Sequence, residues 1–194
     1  MERKTDVRSK IFDEYRTMVC SMPMGKITVS GLCERVGISR KTFYTYFESR
    51  DDLLAAIIRD DVVEPIKRLY PLFGSGNEAV SMPLLNKLLY QSLYEHKDFY
   101  LRVVTQNEER IFVHAINRGL IESHEFVRSV TCDKPMDAEF EYASSFLTGA
   151  QSSLVVKWIR GGMTVSPEQL GAWFDAWGVA AVRAMAGVQG VAHS

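Results

Sequence analysis

Arg40, Lys41, Thr42, Tyr44, Thr45 and Tyr46 put two cations, two hydroxyls and two phenols into seven residues, with no carboxylate among them. Cations suit phosphate oxygens, hydroxyls and phenols suit phosphates and base edges, and the rings suit sugars and thymine methyl groups. Phe43 and Phe47, four apart, give the same stretch an inward face if it is helical. The chemistry on offer is therefore recognition of duplex DNA by one face of a short helix.

Nothing elsewhere supplies a competing chemistry. His96, His114, His124 and His193 form no HExxH, no i,i+4 pair and no Cys/His cluster, so no metal ligand set is expected. There is no GxGxxG after a strand, no Walker loop and no Gly-x-Ser-x-Gly elbow. Glu108-Glu109 and Asp51-Asp52 are adjacent pairs that splay apart on a helix, and the second pair suits a helix N-terminus. Cys33 has only Arg35 nearby in sequence to lower its thiol, and reads as a small buried apolar residue rather than a redox switch. The expectation is a protein that is not an enzyme and carries no cofactor.

The elements that must hold the DNA-facing segment are marked by their ends. Thr28 is placed to cap a short helix, with Ile27 and Leu32 as its hydrophobic staple and Gly37 as its left-handed end. Ser39 starts a second helix, stapled by Ile38 and Phe43 and running to about Phe47. Ser49 with Asp52 forms a Ser-x-x-Asp box that opens a third. Two short helices joined by a turn of about three residues are what a helix-turn-helix requires.

Residues 7 to 54 resemble the DNA-binding domain of the TetR/AcrR family of bacterial transcriptional regulators. The stretch from Val36 to Phe47 matches that family's Gly-Val/Ile-Ser-x-x-Thr-Leu/Phe-Tyr-x-His/Tyr-Phe core, and Ser49-Arg50-Asp51-Asp52-Leu53-Leu54 matches the opening of its fourth helix. Glu48 stands where the family usually has lysine, Asp13 and Glu14 where it has alanines, and Leu32-Cys33 where it has Ile-Ala. The resemblance implies that Tyr44, Tyr46 and Arg50 meet phosphates and that residues 39 to 42 and 45 reach phosphates or bases. With Thr28, the expected DNA-contact residues are Ser39, Arg40, Lys41, Thr42, Tyr44, Thr45, Tyr46 and Arg50.

The charge divides accordingly. The 194-residue chain has a net charge of -1, yet residues 1 to 50 hold ten Lys/Arg against six acids, a surplus of four that the remainder reverses to -5. A hydrophobic content of 46% suits a sizeable core, and no run of about 18 apolar residues is available to span a bilayer. The polar N-terminus lacks a signal-peptide core, and Cys20, Cys33 and Cys132 are odd in number and scattered. A soluble protein with reduced thiols, working in the cytoplasm, is expected.

The rest reads as helices, giving an all-α chain of about nine: a DNA-binding domain over residues 1–50 and a ligand-binding and dimerisation domain over residues 51–194. Val7, Ile11, Tyr15, Met18, Val19 and Met22 line one face of a first helix that stops near Pro23. The fourth should run from about Arg50 to Tyr70, kinked at Pro65. Helices over Met82 to Tyr94, Asp98 to Thr105 and Glu108 to Val130 carry rings that either form core or line a cavity. The cavity reading, carried over from the family, names Tyr70, Tyr90, Tyr94, Phe99, Tyr100, Val103 and Phe112, and an apolar or aromatic effector.

The last two helices, Met136 to Gly161 and Ser166 to about Gly187, interleave small and large apolar residues beyond what one pair can bury. By the resemblance they form a four-helix interface between two copies, through Phe146, Ala150, Leu154, Trp158, Trp173, Trp177 and Ala181. The implied function is a one-component repressor that binds a palindromic operator as a homodimer and is released when an effector tilts the fourth helix. The rival expectation is a co-activator of the same fold that docks on another regulator without specific DNA binding.

Overall fold

The computed structural model describes residues 2–69, 78–106, 108–131 and 137–185, with side chains described over 7–69, 83–106, 108–129 and 137–178. All regular structure within them is helical. In chain order the helices are α1 (Glu2–Ser21), α2 (Val29–Val36), α3 (Arg40–Tyr44), α4, α5 (Glu78–Glu95), α6 (Lys97–Thr105), α7 (Glu109–Thr131), α8 (Ala138–Arg160) and α9 (Pro167–Met185). Here α4 is one rod of three stretches, Arg50–Ile58, a wider π turn over Arg59–Val63, and Glu64–Lys67. A 3₁₀ turn, Met24–Lys26, joins α1 to α2.

The rod shows what Pro65 does. Proline brings no N–H, and in an unbroken α-helix its ring would crowd the carbonyl of Asp61. The helix responds by widening one turn earlier, where the Glu64 N–H reaches back five residues to the Arg59 carbonyl. The expected kink is thus a π turn inside a continuous helix. Its last described helical residue is Lys67, and Tyr70, expected at the rod's end and in the ligand pocket, lies outside the described residues.

Helix α1 buries Ile11, Phe12, Tyr15, Met18 and Val19 against α2 and α6, as its spacing of apolar residues requires. The rod packs on α7, and its π turn also meets α5. At the tightest point a Cβ added to Gly119 of α7 would sit 2.3 Å from Val63 Cγ2. Only glycine lets the two helices approach this closely. Helix α5 begins at Glu78, ahead of the expected Met82, and carries Pro83 within it.

Helix α8 lies over α6 and α7, and α9 packs mainly on α5. A buried polar chain fastens these layers. The Asn86 amide donates to the Asp175 carboxylate, and the Gln151 amide donates to Asn86 Oδ1 at 2.8 Å. Burial pushes the Asp175 carboxyl up from its ordinary value, against the hydrogen bond from Asn86. The turn into α9 uses the expected caps: Ser166 Oγ accepts the Gln169 N–H, and Leu170 is buried. No helix among the described residues is long and apolar enough to cross a membrane.

Candidate nucleic-acid interface

The helix-turn-helix is set by its caps. Thr28 Oγ1 accepts the Gly31 N–H at 3.1 Å, Ser39 Oγ accepts the Thr42 N–H at 3.0 Å, and Ser49 Oγ accepts the Asp52 N–H at 3.0 Å. Each such bond contributes about 1 kcal/mol to its helix. Gly37 ends α2 at φ 76°, where a side chain would be strained. The Asp52 carboxylate reaches back one residue further than the usual box, to the Glu48 N–H at 2.9 Å.

Helix α3 is shorter than expected. Its α-helical residues stop at Tyr44, and Thr45 and Tyr46 form a turn closed by the Tyr46 N–H on the Phe43 carbonyl and by Thr45 Oγ1 donating to the Thr42 carbonyl at 2.6 Å. Phe43 and Phe47 are buried, with ring centroids 5.6 Å apart. Arg40, Lys41, Tyr44 and Thr45 face outward, and Tyr44 is 49% exposed. The Arg40 guanidinium lies 5.9 Å from the Tyr44 ring centroid, and neither Arg40 nor Lys41 forms an ion pair among the described residues. Both cations are therefore available to an anionic partner. Ser39 and Thr28, by contrast, already spend their hydroxyls as caps, and Thr42 and Tyr46 are half-buried.

Cys33 is buried beneath this face, and burial pushes its thiol up although the Arg40 charge pulls it down. A thiolate is disfavoured there, in keeping with its apolar role.

Arg50 has a different setting from the one expected. One guanidinium nitrogen donates to the Met24 carbonyl at 2.8 Å, and another pairs with Glu108 Oε1 at 2.6 Å. The Met24 N–H in turn donates to Gln106 Oε1 at 2.9 Å. Sequence reasoning missed Gln106, and saw in Glu108 only half of an adjacent acidic pair at a helix start, because their partners lie more than fifty residues away and no local pattern marks them.

The aromatic residues expected to line a pocket are mostly closed on one another. Tyr90, Phe99, Tyr100, Val103 and Phe112 are all buried, and the Tyr100 ring packs on Phe99 and Phe112 with centroids 5.1 and 5.7 Å away. Tyr94 is part-exposed and, with Phe99, borders an open groove beside Arg16, Cys20 and Lys97. A separate cleft of about 120 Å³ lies between α4 and α7, lined by Arg59, Val63, His114 and Gly119 among others.

Of the residues expected between two copies, Phe146, Trp173 and Trp177 are exposed at 55, 41 and 54%, and the two tryptophans stack at 6.0 Å. Ala150 is exposed and Leu154 half-buried, and with Phe146 and Trp177 they line an apolar groove of about 340 Å³. Trp158 must be corrected. It is 6% exposed, stacks on Tyr94 and donates its indole N–H to the Val165 carbonyl at 2.8 Å. It fastens the α8–α9 turn from inside. The Ala181 side chain lies outside the described residues.

A capped helix-turn-helix with an exposed cationic and phenolic face, joined by a rod to a helical body, defines a DNA-binding regulator. Comparison with known proteins gives the same class. Residues 23–57 match the model for bacterial regulatory proteins of the tetR family, and residues 83–172 match a transcriptional regulator C-terminal region of that family. The chain belongs to the TetR family of transcriptional regulators, which are not enzymes.

Two curated relatives are similar over part of the chain. One is the HTH-type dhaKLM operon transcriptional activator DhaS of Lactococcus lactis subsp. lactis (strain IL1403), 29% identical over 114 residues. That match spans 57% of this chain and 57% of the relative, little more than half the length of either. The other is the HTH-type transcriptional regulator YvaF of Bacillus subtilis (strain 168), 24% identical over 73% of this chain and 87% of the relative.

Among solved structures, the dihydroxyacetone kinase operon activator DhaS shares the fold with a TM-score of 0.64 at 21% identity, covering 92% of this chain and 97% of that one. A TetR-like regulator from Rhodococcus sp. RHA1 does so at 0.57 and 17%, covering 93% and 96%. The fatty acid degradation regulator FadR from Bacillus halodurans does so at 0.58 and 13%, covering 88% and 97%.

Proposed function

We propose that this regulator works in the cytoplasm as a homodimer that presents two α3 helices to a palindromic operator and represses transcription by occupying it. The observation that carries this reading is the exposed Arg40–Lys41 pair beside Tyr44, without an ion pair among the described residues and held on a capped helix-turn-helix. A cationic face with no carboxylate partner among the described residues suits phosphate binding, whereas a chain that docks on another protein in place of DNA has no use for it.

The exposed Phe146, Trp173 and Trp177 support dimerisation through α8 and α9. Two heads one helical turn apart would then read two half-sites. Repression is the simpler mode because occupancy alone blocks a promoter. A second reading, activation, is favoured by similarity to a relative named as an operon activator.

The effector we propose is small and apolar or aromatic, matched to the rings of the body. Tyr100 and Phe112 meet each other in the structure, so binding between them would require these rings to part and would favour a second state.

The test is sedimentation and operator gel shift of Trp177→Glu beside the unaltered protein. A dimer that becomes monomer at micromolar concentration, with loss of operator binding, is expected. An unaltered protein that is monomeric, or a monomeric variant that binds the operator equally well, would contradict the reading. A promoter fusion with and without the regulator separates repression from activation.

A further inference from the structure

We infer that Gln106 and Glu108 are positioning residues for operator binding, which clasp the backbone of Met24 together with Arg50 and so fix the angle at which the head leaves the body.

Met24 opens the 3₁₀ turn between α1 and α2, just ahead of the Thr28 cap. In a turn of this kind the peptide groups must find partners outside a regular helix. The clasp gives the N–H its partner, and gives the carbonyl, which already accepts the Ile27 N–H within the turn at 3.0 Å, a second donor. The N–H donates to Gln106 Oε1 at 2.9 Å, and the carbonyl accepts from Arg50 at 2.8 Å.

Each holding group is itself held by the body. Gln106 directly follows α6, with its N–H on the Arg102 carbonyl. The Glu108 carboxylate takes the second Arg50 nitrogen, and its carbonyl accepts from Ile111 and Phe112 in the first turn of α7. The end of α6 and the start of α7 therefore grip one residue of the head, at the end of the rod where α4 begins. The Arg50 and Glu108 side chains are 27 and 14% exposed, which limits screening by water.

The consequence follows from how two heads share one operator. A single head on one half-site is indifferent to how firmly it is set on the body. A dimer on a palindrome is not, because the second head binds at an effective concentration set by the spread of distances between the heads. Loosening the clasp broadens that spread and penalises only two-headed binding. This inference rests on the reading of the chain as a dimer that reads a palindrome.

The test uses full-length protein, the operator duplex, and the same duplex with one half-site scrambled. The readout is the preference for the first over the second. Gln106→Leu and Glu108→Ala, which remove the acceptor oxygens, should each lower that preference about tenfold while single-half-site affinity stays within about twofold of the unaltered protein. Both should also tolerate a one-base-pair change in half-site spacing better. Gln106→Glu, which keeps the acceptor oxygen, should retain the original preference. Equal losses on both duplexes, the mark of a merely structural role, would overturn the inference, as would an unchanged preference. An unaltered protein that binds both duplexes equally would remove the two-headed reading and the inference with it. One that prefers the palindrome while the variants do so just as strongly would overturn the clasp alone.

Discussion

Arg16 of α1 and Asp61 in the π turn of α4 form an ion pair in which the carboxylate is almost fully buried, and the second carboxylate oxygen accepts the Tyr100 hydroxyl at 2.7 Å. One side chain thus joins the head, the rod and α6. Removing it by Asp61→Ala leaves a part-buried guanidinium and a buried phenol without their acceptor, at a cost of about 3 kcal/mol. Asp61→Asn, which keeps an acceptor for Tyr100, should cost less. Urea denaturation of both variants reads the difference, and a loss below about 1 kcal/mol for the alanine variant would show that the pair adds little.

The approach of α7 to the rod at Gly119 gives a second expectation. Gly119→Ala places a methyl group 2.3 Å from Val63 Cγ2, so the Val63 side chain or one of the two helices must shift. Overpacking of this kind costs about 1–3 kcal/mol, despite alanine's better helix propensity. Val63→Ala in the same chain should recover most of the loss. If thermal unfolding shows the single variant as stable as the original, the helices approach less closely than described.

His124 shares a 2.9 Å hydrogen bond with Ser144, and burial lowers its pKa from the ordinary 6.5. The unfolded chain then binds this proton more readily than the folded one, so stability falls as the pH drops below about 6.5. Above that value both states are neutral and the term vanishes. His124→Asn should therefore lose less of its melting temperature than the original protein between pH 7.5 and 5, and parallel melting curves across that range would contradict the assignment.

Lys41→Ala and Tyr44→Ala should weaken operator binding without changing the dimer. For Lys41→Ala the salt slope should fall by about 0.9 for each phosphate left without its lysine, near two units when this happens at both heads. Affinity that drops with an unchanged slope would place Lys41 away from the phosphates.

The head was legible in the sequence because its signals are local. Thr28, Ser39, Ser49 and Gly37 act on groups three or four residues away, and the structure uses all four as caps. The all-helical body was legible by the same logic of spacing and capping. What the sequence hid depends on partners far along the chain. Arg50 looks like a free cation until Glu108, 58 residues on, takes it. Trp158 belongs by composition with Trp173 and Trp177, but the Val165 carbonyl and the Tyr94 ring draw it inside. The rings named for a pocket could as well be core, and only their mutual packing shows them closed together. Pro65 announced a disturbance in the rod, but not that a π turn would turn Asp61 toward Arg16 and Tyr100.

Capture of fragmented genomic DNA by the purified protein at moderate salt, sequenced beside a Lys41→Ala/Tyr44→Ala control, tests the central claim most directly. One or a few palindromic sites that the control fails to recover are expected. Fragments without a common sequence, or the same fragments from both proteins, would contradict that claim.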